Sequence, residues 1–138
     1  MSTLIKEIMS KDIEYVTDKN TLQEAAEKML TLNVGELPIV IGDSAVGIIT
    51  DRDIVVRGIA QGLDPKSTHV VNSMTEGIEA CAENDSIEKA AQIMSEKKIR
   101  RLPVMDTDGK MSGMVSLRDL ALNLDSEEIG EVLMEISK

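Results

Sequence analysis

Aromatic residues are almost missing from the chain: its 138 residues include no Phe, no Trp and one Tyr, Tyr15. The hydrophobic fraction of 42% is therefore supplied by aliphatic side chains and nine Met, and Met fills irregular gaps in a core well. The lack of aromatic rings also removes the platforms on which proteins stack single-stranded nucleic acid. The composition predicts a globular protein with an aliphatic core.

Basic charge is scarce as well, with 15 Lys and Arg against 25 Asp and Glu and a net charge of −10. Proteins that bind nucleic acid need a basic face that displaces counterions, so we expect no nucleic acid partner. No apolar run reaches the roughly 18 residues of a membrane span, and charges stand where a signal peptide would have its apolar segment. We therefore expect no membrane partner.

Cysteine and histidine occur once each, as Cys81 and His69. A single cysteine excludes an internal disulfide and fits a reducing compartment, which predicts a cytoplasmic protein. A zinc site takes three or four ligands, and a catalytic triad needs a histidine beside its nucleophile. We therefore predict no metal site and no enzymatic activity; a metal- or redox-responsive role would rest on Cys81 alone.

One unit is present twice. A shift of 65 residues aligns Met9 with Met74, and after a one-residue insertion a shift of 66 aligns "GIITDRD" (residues 47–53) with "GMVSLRD" (residues 113–119). Each copy is predicted to fold as β-α-β-β-α, which makes the fold class α+β. Three short strands and two helices bury little surface alone, so we expect the two halves to pack together.

The first helix of each copy is amphipathic. Thr21 and Glu24 form a Thr-x-x-Glu capping box at the start of the first one. Apolar residues recur at helical spacing in both copies. Those expected on the buried face are Leu22, Ala25, Ala26, Met29 and Leu30 in copy one and Ile87, Ala90, Ala91 and Met94 in copy two. The second helix of each copy is expected over residues 51–60 and 117–124.

The end of the chain repeats nothing. Its apolar residues fit one amphipathic helix with Ser126 as N-cap. We expect this stripe, Ile129, Val132, Leu133 and Ile136, to dock on its own domain, with a subunit interface as the alternative. The predicted organisation is repeat 1 over residues 1–62, repeat 2 over 63–124 and a C-terminal helix over 125–138.

The duplicated series resembles a pair of cystathionine-β-synthase (CBS) domains, also called a Bateman module. The segments that carry the resemblance are "NTLQEAAEKM" with "DSIEKAAQIM", "VGELPIV" with "IRRLPVM", and "GIITDRD" with "GMVSLRD". The resemblance implies two pseudo-symmetric repeats packed as one disc, in a small stand-alone bacterial protein. It also implies a non-catalytic regulatory role, a homodimer, and an effector that is a separate protein.

Ligand binding is implied by the same resemblance. The clefts between CBS repeats bind adenosine-containing ligands, so the expected regulatory ligand is AMP, ADP, ATP or S-adenosylmethionine. Asp53 and Asp119 would accept hydrogen bonds from ribose hydroxyls, since a carboxylate can accept from two adjacent hydroxyls. The residues expected near ribose or phosphate are Thr50, Arg100, Arg101, Ser116 and Arg118. Those expected in the adenine pocket are Tyr15, Val16, Thr17, Gly47, Ala80, Cys81, Ala82 and Gly113.

Physical chemistry is compatible with these roles and leaves alternatives. A hydroxyl side chain at a helix start leaves backbone N–H groups for an anion, and a glycine lets a flat ring approach the backbone. Thr50 and Asp53 could equally be only a helix cap. Guanidinium groups pair with phosphate, whereas Glu36, aligned with Arg101, would repel it. The sequence thus favours unequal clefts; a constitutive dimeric scaffold with vestigial clefts is the alternative.

Overall fold

The computed structural model describes residues 3–138 and divides into two compact units. The Asp53 unit is Glu14–Ile78, and the Asp119 unit combines residues 3–13 with Glu79–Lys138. The first helix, α1 (Ile5–Ile8), therefore belongs with the second sequence repeat. The compact units differ from the predicted repeats in this segment and in residues 63–78, which were assigned to repeat 2 but belong to the Asp53 unit. The start of repeat 1, at residue 1, lies outside the described residues.

The Asp53 unit is built on a four-stranded sheet with the order β1-β2-β3-β4. Its elements are β1 (Val16–Thr17), α2 (Leu22–Leu32), β2 (Glu36–Ile41), β3 (Ser44–Thr50), α3 (Asp51–Asp53) and β4 (Thr75–Glu76). β1 runs parallel to β2, and the other two pairs are antiparallel. Apolar side chains from the sheet and α2, among them Leu22, Ile39 and Ile49, form its core.

The Asp119 unit repeats this arrangement with a three-stranded sheet, ordered β5-β6-β7. Its elements are β5 (Cys81–Ala82), α4 (Ile87–Lys97), β6 (Arg101–Met105), β7 (Met111–Ser116), α5 (Leu117–Ala121) and α6 (Ser126–Ser137). Ser10 forms an isolated antiparallel bridge with Met114, where β4 pairs Thr75 with Ile48 in the other unit. The two units therefore have similar internal arrangements, and the α+β class predicted from the sequence is confirmed.

Two helix caps can be compared with their predictions. Thr21 Oγ1 accepts from the Glu24 amide at 3.2 Å, and Glu24 Oε1 accepts from the Thr21 amide at 2.8 Å, which confirms the capping box. The bond from the Thr21 backbone holds the pKa of Glu24 below its ordinary value. The expected cap of α6 is wrong: Asp125, not Ser126, is the N-cap, since Asp125 Oδ1 accepts from the Glu128 amide at 2.8 Å.

The predicted helix faces are confirmed in α4 and were too wide in α2. All four expected residues of α4 are buried, whereas Ala26 and Leu30 of α2 are exposed, Leu30 by 83%. The difference arises because α6 packs on α4 and brings Val132 into that core. The C-terminal helix therefore docks on its own unit, as expected, through Ile129, Val132 and Ile136. Leu133, expected in the same stripe, is instead exposed by 42%.

The second helix of the Asp53 unit is irregular. α3 continues as a π-helical turn (Ile54–Gly58) and a 3₁₀ turn (Ile59–Gln61), whereas α5 in the other unit stops at Ala121. A Cβ on Gly58 would lie 2.8 Å from Leu22 Cδ1, so a glycine lets this segment approach α2. Among residues 3–138, no helix combines the length and the apolar character needed to cross a membrane.

Candidate functional site

The predicted ribose and phosphate residues of the Asp119 unit meet where β7 passes into α5. Arg101 pairs with Ser116 across the antiparallel β6–β7 ladder. The Leu117 amide donates to the carbonyl of Arg100 at 2.8 Å, which holds Arg100 beside the first residue of α5. Arg118 and Asp119 follow within the first turn of that helix. The hairpin thus gathers three arginines and one carboxylate at one sheet edge.

The same position in the Asp53 unit has different charges. Glu36 pairs with Thr50 across β2 and β3, and the Asp51 amide donates to the carbonyl of Gly35 at 2.9 Å. The registers therefore match, and Gly35 and Glu36 stand where the other unit has Arg100 and Arg101. A negative side chain replaces a guanidinium at this edge.

Among residues 3–138, hydrogen bonds reach only one of the two carboxylate oxygens of Asp119. Its Oδ2 accepts from the Ser116 amide at 2.9 Å and from Ser116 Oγ at 3.1 Å. Its own amide donates to Ser116 Oγ at 3.2 Å, which completes a capping box. No hydrogen bond from any of residues 3–138 reaches Oδ1, and the residue is half-buried. One carboxylate oxygen therefore remains available to a ligand.

Asp53, in contrast, has partners at both oxygens. Its Oδ2 accepts from the Thr50 amide at 3.1 Å, and Thr75 Oγ1 lies 3.5 Å from Oδ1 and 3.4 Å from Oδ2. Arg57 Nε lies 3.7 Å from Oδ1. The residue is 7% exposed. The two equivalent aspartates thus differ in exposure and in the number of groups that already hold them.

The amides at both helix starts are largely used within the chain. Asp53 N donates to Thr50 Oγ1 at 3.0 Å, and Asp51 N and Leu117 N donate to the carbonyls of Gly35 and Arg100, the residues just before β2 and β6. Thr50 and Ser116 are therefore helix caps, as one interpretation of the sequence held. An anion at this edge would be held by side chains more than by these amides.

The first predicted adenine stretch lies beside α2. Tyr15 is exposed, and its carbonyl accepts from Lys28 Nζ at 2.8 Å. Val16 is buried and pairs with Ile39 in β2, while the Thr17 amide donates to Asn20 Oδ1 at 2.9 Å. Two of the backbone groups expected to face adenine therefore already have partners.

The second adenine stretch is half exposed. Ala80 is partly buried, Cys81 is buried and pairs with Val104, and the exposed Ala82 donates its amide to Asp85 Oδ2 at 3.0 Å. Burial raises the pKa of the Cys81 thiol to about 12, and Asp85 adds to the rise. The thiol is thus a neutral core group.

Gly47 and Gly113 lie under a neighbouring segment of backbone. A Cβ on Gly47 would lie 2.8 Å from the Thr75 carbonyl oxygen, and one on Gly113 would lie 2.8 Å from that of Ser10. The glycines are needed for this close approach of backbone to backbone. Their predicted role in an adenine pocket is a separate matter and stays a prediction.

Two residues of the site escaped the sequence interpretation. Arg57 follows Asp53 by four residues, a helical spacing at which the pair could have been suspected. Thr75 lies in a strand of two residues, too short to leave a pattern in the sequence. Both act on Asp53, and their counterparts in the other unit do not act on Asp119 in this way.

Metal-ligating side chains do not cluster in the described part of the chain: no group of three or more His, Cys, Asp and Glu there could hold a metal ion. His69 is exposed, and the raised pKa of Cys81 disfavours the thiolate that binds zinc. These residues do not fit a zinc site.

Comparison with known proteins gives consistent matches. The model of the CBS domain matches residues 5–58 and 69–126. The CBS domain-containing protein YhcV of Bacillus subtilis is 39% identical over 134 residues, which span 96% of this chain and 94% of that protein.

Two solved structures are similar over 88% of this chain. Hypoxic Response Protein I, with two coordinated zinc ions, has a TM-score of 0.79, 34% identity and 99% of its own chain covered. The CBS domain pair of protein MJ0100, in complex with 5′-methylthioadenosine and S-adenosyl-L-methionine, has a TM-score of 0.75 and 29% identity, and the match covers 95% of that chain.

Proposed function

The chain belongs to the CBS domain family, and we propose that it is a non-catalytic regulatory module that binds an adenosine-containing ligand. The observation that carries the proposal is the available carboxylate oxygen of Asp119 at an edge with three arginines. The complex of the MJ0100 pair with two adenosyl compounds supports the ligand class. The family and the single buried Cys81 also support a cytoplasmic, regulatory setting.

Asp119 is suited to a ribose. Adjacent ribose hydroxyls donate to a carboxylate, and Oδ1 can accept while Oδ2 keeps its bonds to Ser116. Arg100 and Arg118 are exposed at the same edge and would pair with phosphate or with a carboxylate of the ligand. The proposed ligand therefore carries a ribose and an anionic group, as AMP, ADP, ATP and S-adenosylmethionine do.

Signalling would follow from differential affinity. A ligand shifts a conformational equilibrium only by binding one state better than another, and a partner can read the shift. We propose that the effector that responds to this shift is a separate protein.

Thermal unfolding with AMP, ADP, ATP and S-adenosylmethionine, each in excess, tests the proposal. We expect at least one of them to raise the melting temperature, because a ligand at 100 times its dissociation constant stabilises the folded state by about 2.7 kcal/mol. Inosine 5′-monophosphate, which keeps the ribose and phosphate of AMP but changes the base, is the matched control and should have a smaller effect. If no adenosyl compound moves the midpoint, the module does not bind this class.

A homodimer is part of the proposal, and the Asp53 unit supplies the surface for it. Leu30 of α2 is 83% exposed, and Val55 and Ile59, in the turns after α3, are exposed by 55% and 56%. Exposed apolar side chains on neighbouring helices are typical of subunit interfaces. The equivalent face of α4 is covered by α6, which leaves this face for a second copy.

Leu30→Glu is expected to convert the dimer to a monomer of 15.1 kDa in sedimentation at micromolar concentration. The buried charge would raise the dissociation constant at least about tenfold, since an unpaired charge in an interface costs more than 1.4 kcal/mol. Ile41→Glu is the matched control, because Ile41 is also exposed but ends β2 beside a hairpin turn. A dimer that survives Leu30→Glu would place the interface elsewhere.

A constitutive scaffold is the second candidate. The observation that favours it is Asp53, whose carboxylate is engaged at both oxygens by groups of its own unit. This observation concerns one of the two sites. The ligand panel decides between the candidates, since a scaffold has the same melting temperature with and without adenosyl compounds.

A further inference from the structure

Arg57 holds, in the Asp53 unit, the position that Asn123 holds in the Asp119 unit, since a shift of 66 residues aligns the two. Arg57 Nη1 donates to the Met74 carbonyl at 3.1 Å while its Nε lies 3.7 Å from Asp53 Oδ1. Asn123 Nδ2 donates instead to the backbone carbonyl of Asp119 at 2.8 Å. A tethered cation therefore lies against one carboxylate, and a neutral amide turned toward the main chain stands near the other.

A second difference adds to the first. Thr75 Oγ1 lies within 3.5 Å of both carboxylate oxygens of Asp53. Its counterpart in the other unit is Ser10, which bridges Met114 as Thr75 pairs with Ile48. In the described residues no hydrogen bond joins Ser10 Oγ to Asp119. A hydroxyl and a guanidinium thus already lie against the Asp53 carboxylate, and between them they contact both of its oxygens.

We infer that Arg57 withholds Asp53 from ligand, so that each chain binds through its Asp119 unit alone. Two ribose hydroxyls at Asp53 would have to replace Thr75 and a charge-assisted contact to Arg57. At a carboxylate that is 7% exposed, a neutral hydroxyl is a weaker partner than a cation. The inference rests on the proposed function in one respect: the ligand carries a ribose.

Arg57 is a specificity-determining residue on this account, and its replacement is expected to open a second site. Isothermal titration with AMP, and separately with S-adenosylmethionine, should give about one molecule per wild-type chain and about two per Arg57→Asn chain. Without the cation, the ribose has only the long contacts of Thr75, 3.4 and 3.5 Å, to displace before both hydroxyls donate to the carboxylate. Arg57→Lys keeps a cation at this position and should still bind about one molecule per chain. Arg57→Gln is a second neutral variant in case the first folds poorly.

The reciprocal variant supplies the matched test. Asn123→Arg places a guanidinium four residues after Asp119, and we expect at least about a tenfold loss of affinity, because the cation competes for Oδ1. Melting temperatures of all variants without ligand show that each one is folded. The Asn123→Arg and Arg57→Asn double variant should again bind one molecule, now at Asp53.

The outcomes separate this inference from the proposed function. Two molecules per wild-type chain, or an unchanged stoichiometry in both neutral variants, would overturn the inference while leaving adenosyl binding in place. If wild type binds neither probe, the proposed function fails, and with it the claim that the Asp119 unit binds the ligand; Arg57→Asn then decides only whether Arg57 blocks Asp53. A gain from no site to one supports that blocking role, and no gain contradicts it.

Discussion

Asp119→Ala is expected to abolish the rise in melting temperature that an adenosyl ligand produces in the wild-type protein. At 100 times the dissociation constant that rise corresponds to about 2.7 kcal/mol, or roughly 5–10 °C for a chain of this size. The reason is the loss of the oxygen proposed to accept the ribose hydroxyls. The ligand-free protein should melt only slightly lower, because Ser116 Oγ still accepts from the amide of residue 119 and caps α5.

Asp53→Ala is the matched control, and it should behave in the opposite way. Removal of the Asp53 carboxylate takes a partner from the Thr50 amide, Thr75 and Arg57. The free energy of unfolding without ligand should therefore fall by about 2 kcal/mol, and the melting temperature should fall with it. The ligand-induced rise should remain, since the wild-type chain is proposed to bind through Asp119. If Asp119→Ala instead lowers the ligand-free midpoint and keeps the ligand response, the carboxylate serves only as a helix cap.

Asp119→Asn refines the comparison. An amide oxygen can still accept from the Ser116 amide, so the capping box survives with a neutral group. If the ligand response is weaker in Asp119→Asn and lost in Asp119→Ala, the ribose hydroxyls donate their hydrogen bonds to a charged carboxylate. A response equal to wild type in Asn would mean that charge has no part in binding.

Local signals in the sequence were enough to predict most of the fold. The helix of residues 22–32 follows from apolar spacing and from Thr21 and Glu24, which are near neighbours in the chain. The apolar stripe of α6 predicted docking for the same reason, although it could not distinguish Asp125 from Ser126 as the cap. Two adjacent residues that both suit an N-cap differ only in backbone conformation, which composition does not encode.

Pairings over long distances in the chain were not predictable. Ser10 bridges Met114 through bonds of 2.8 and 2.9 Å, yet nothing in the residues near Ser10 indicates a strand. Leu30 is another case, because its exposure depends on the absence of a counterpart to α6 over α2 among the described elements. Periodicity shows that a helix has an apolar face but does not show whether another element covers it.

The candidate site stays a prediction made from the alignment of the two copies, and the contacts that distinguish the two aspartates were not part of that prediction. Alignment of "GIITDRD" with "GMVSLRD" located both aspartates, and the contrast of Arg101 with Glu36 indicated unequal sites. The stronger difference, Arg57 against Asn123, lies one helical turn beyond those segments. A family motif directs attention to the residues that repeat, whereas this asymmetry depends on residues that do not.

Gly113→Ala is expected to destabilise the Asp119 unit. The new Cβ would lie 2.8 Å from the carbonyl oxygen of Ser10 and would also meet the sulfur of Met9, so the segment before residue 13 must move. Overpacking of this kind costs about 1–3 kcal/mol, or roughly 3–9 °C in melting temperature. Hydrogen exchange should speed up at the amides of Ser10 and Met114, which donate to each other's carbonyls.

Gly130→Ala is the control for the same change of residue at an open position. Gly130 lies inside α6, and apart from its chain neighbours and the nearby backbone of its own helix no atom lies within 4 Å of a Cβ built on it. Alanine should therefore stabilise the protein by about 0.5–1 kcal/mol through helix propensity. Opposite signs for the two variants would show that Gly113 is required for close backbone packing. A Gly113→Ala protein that melts like wild type but loses its ligand response would instead assign this glycine to the adenine pocket, because only the approach of a ring would then depend on the missing Cβ.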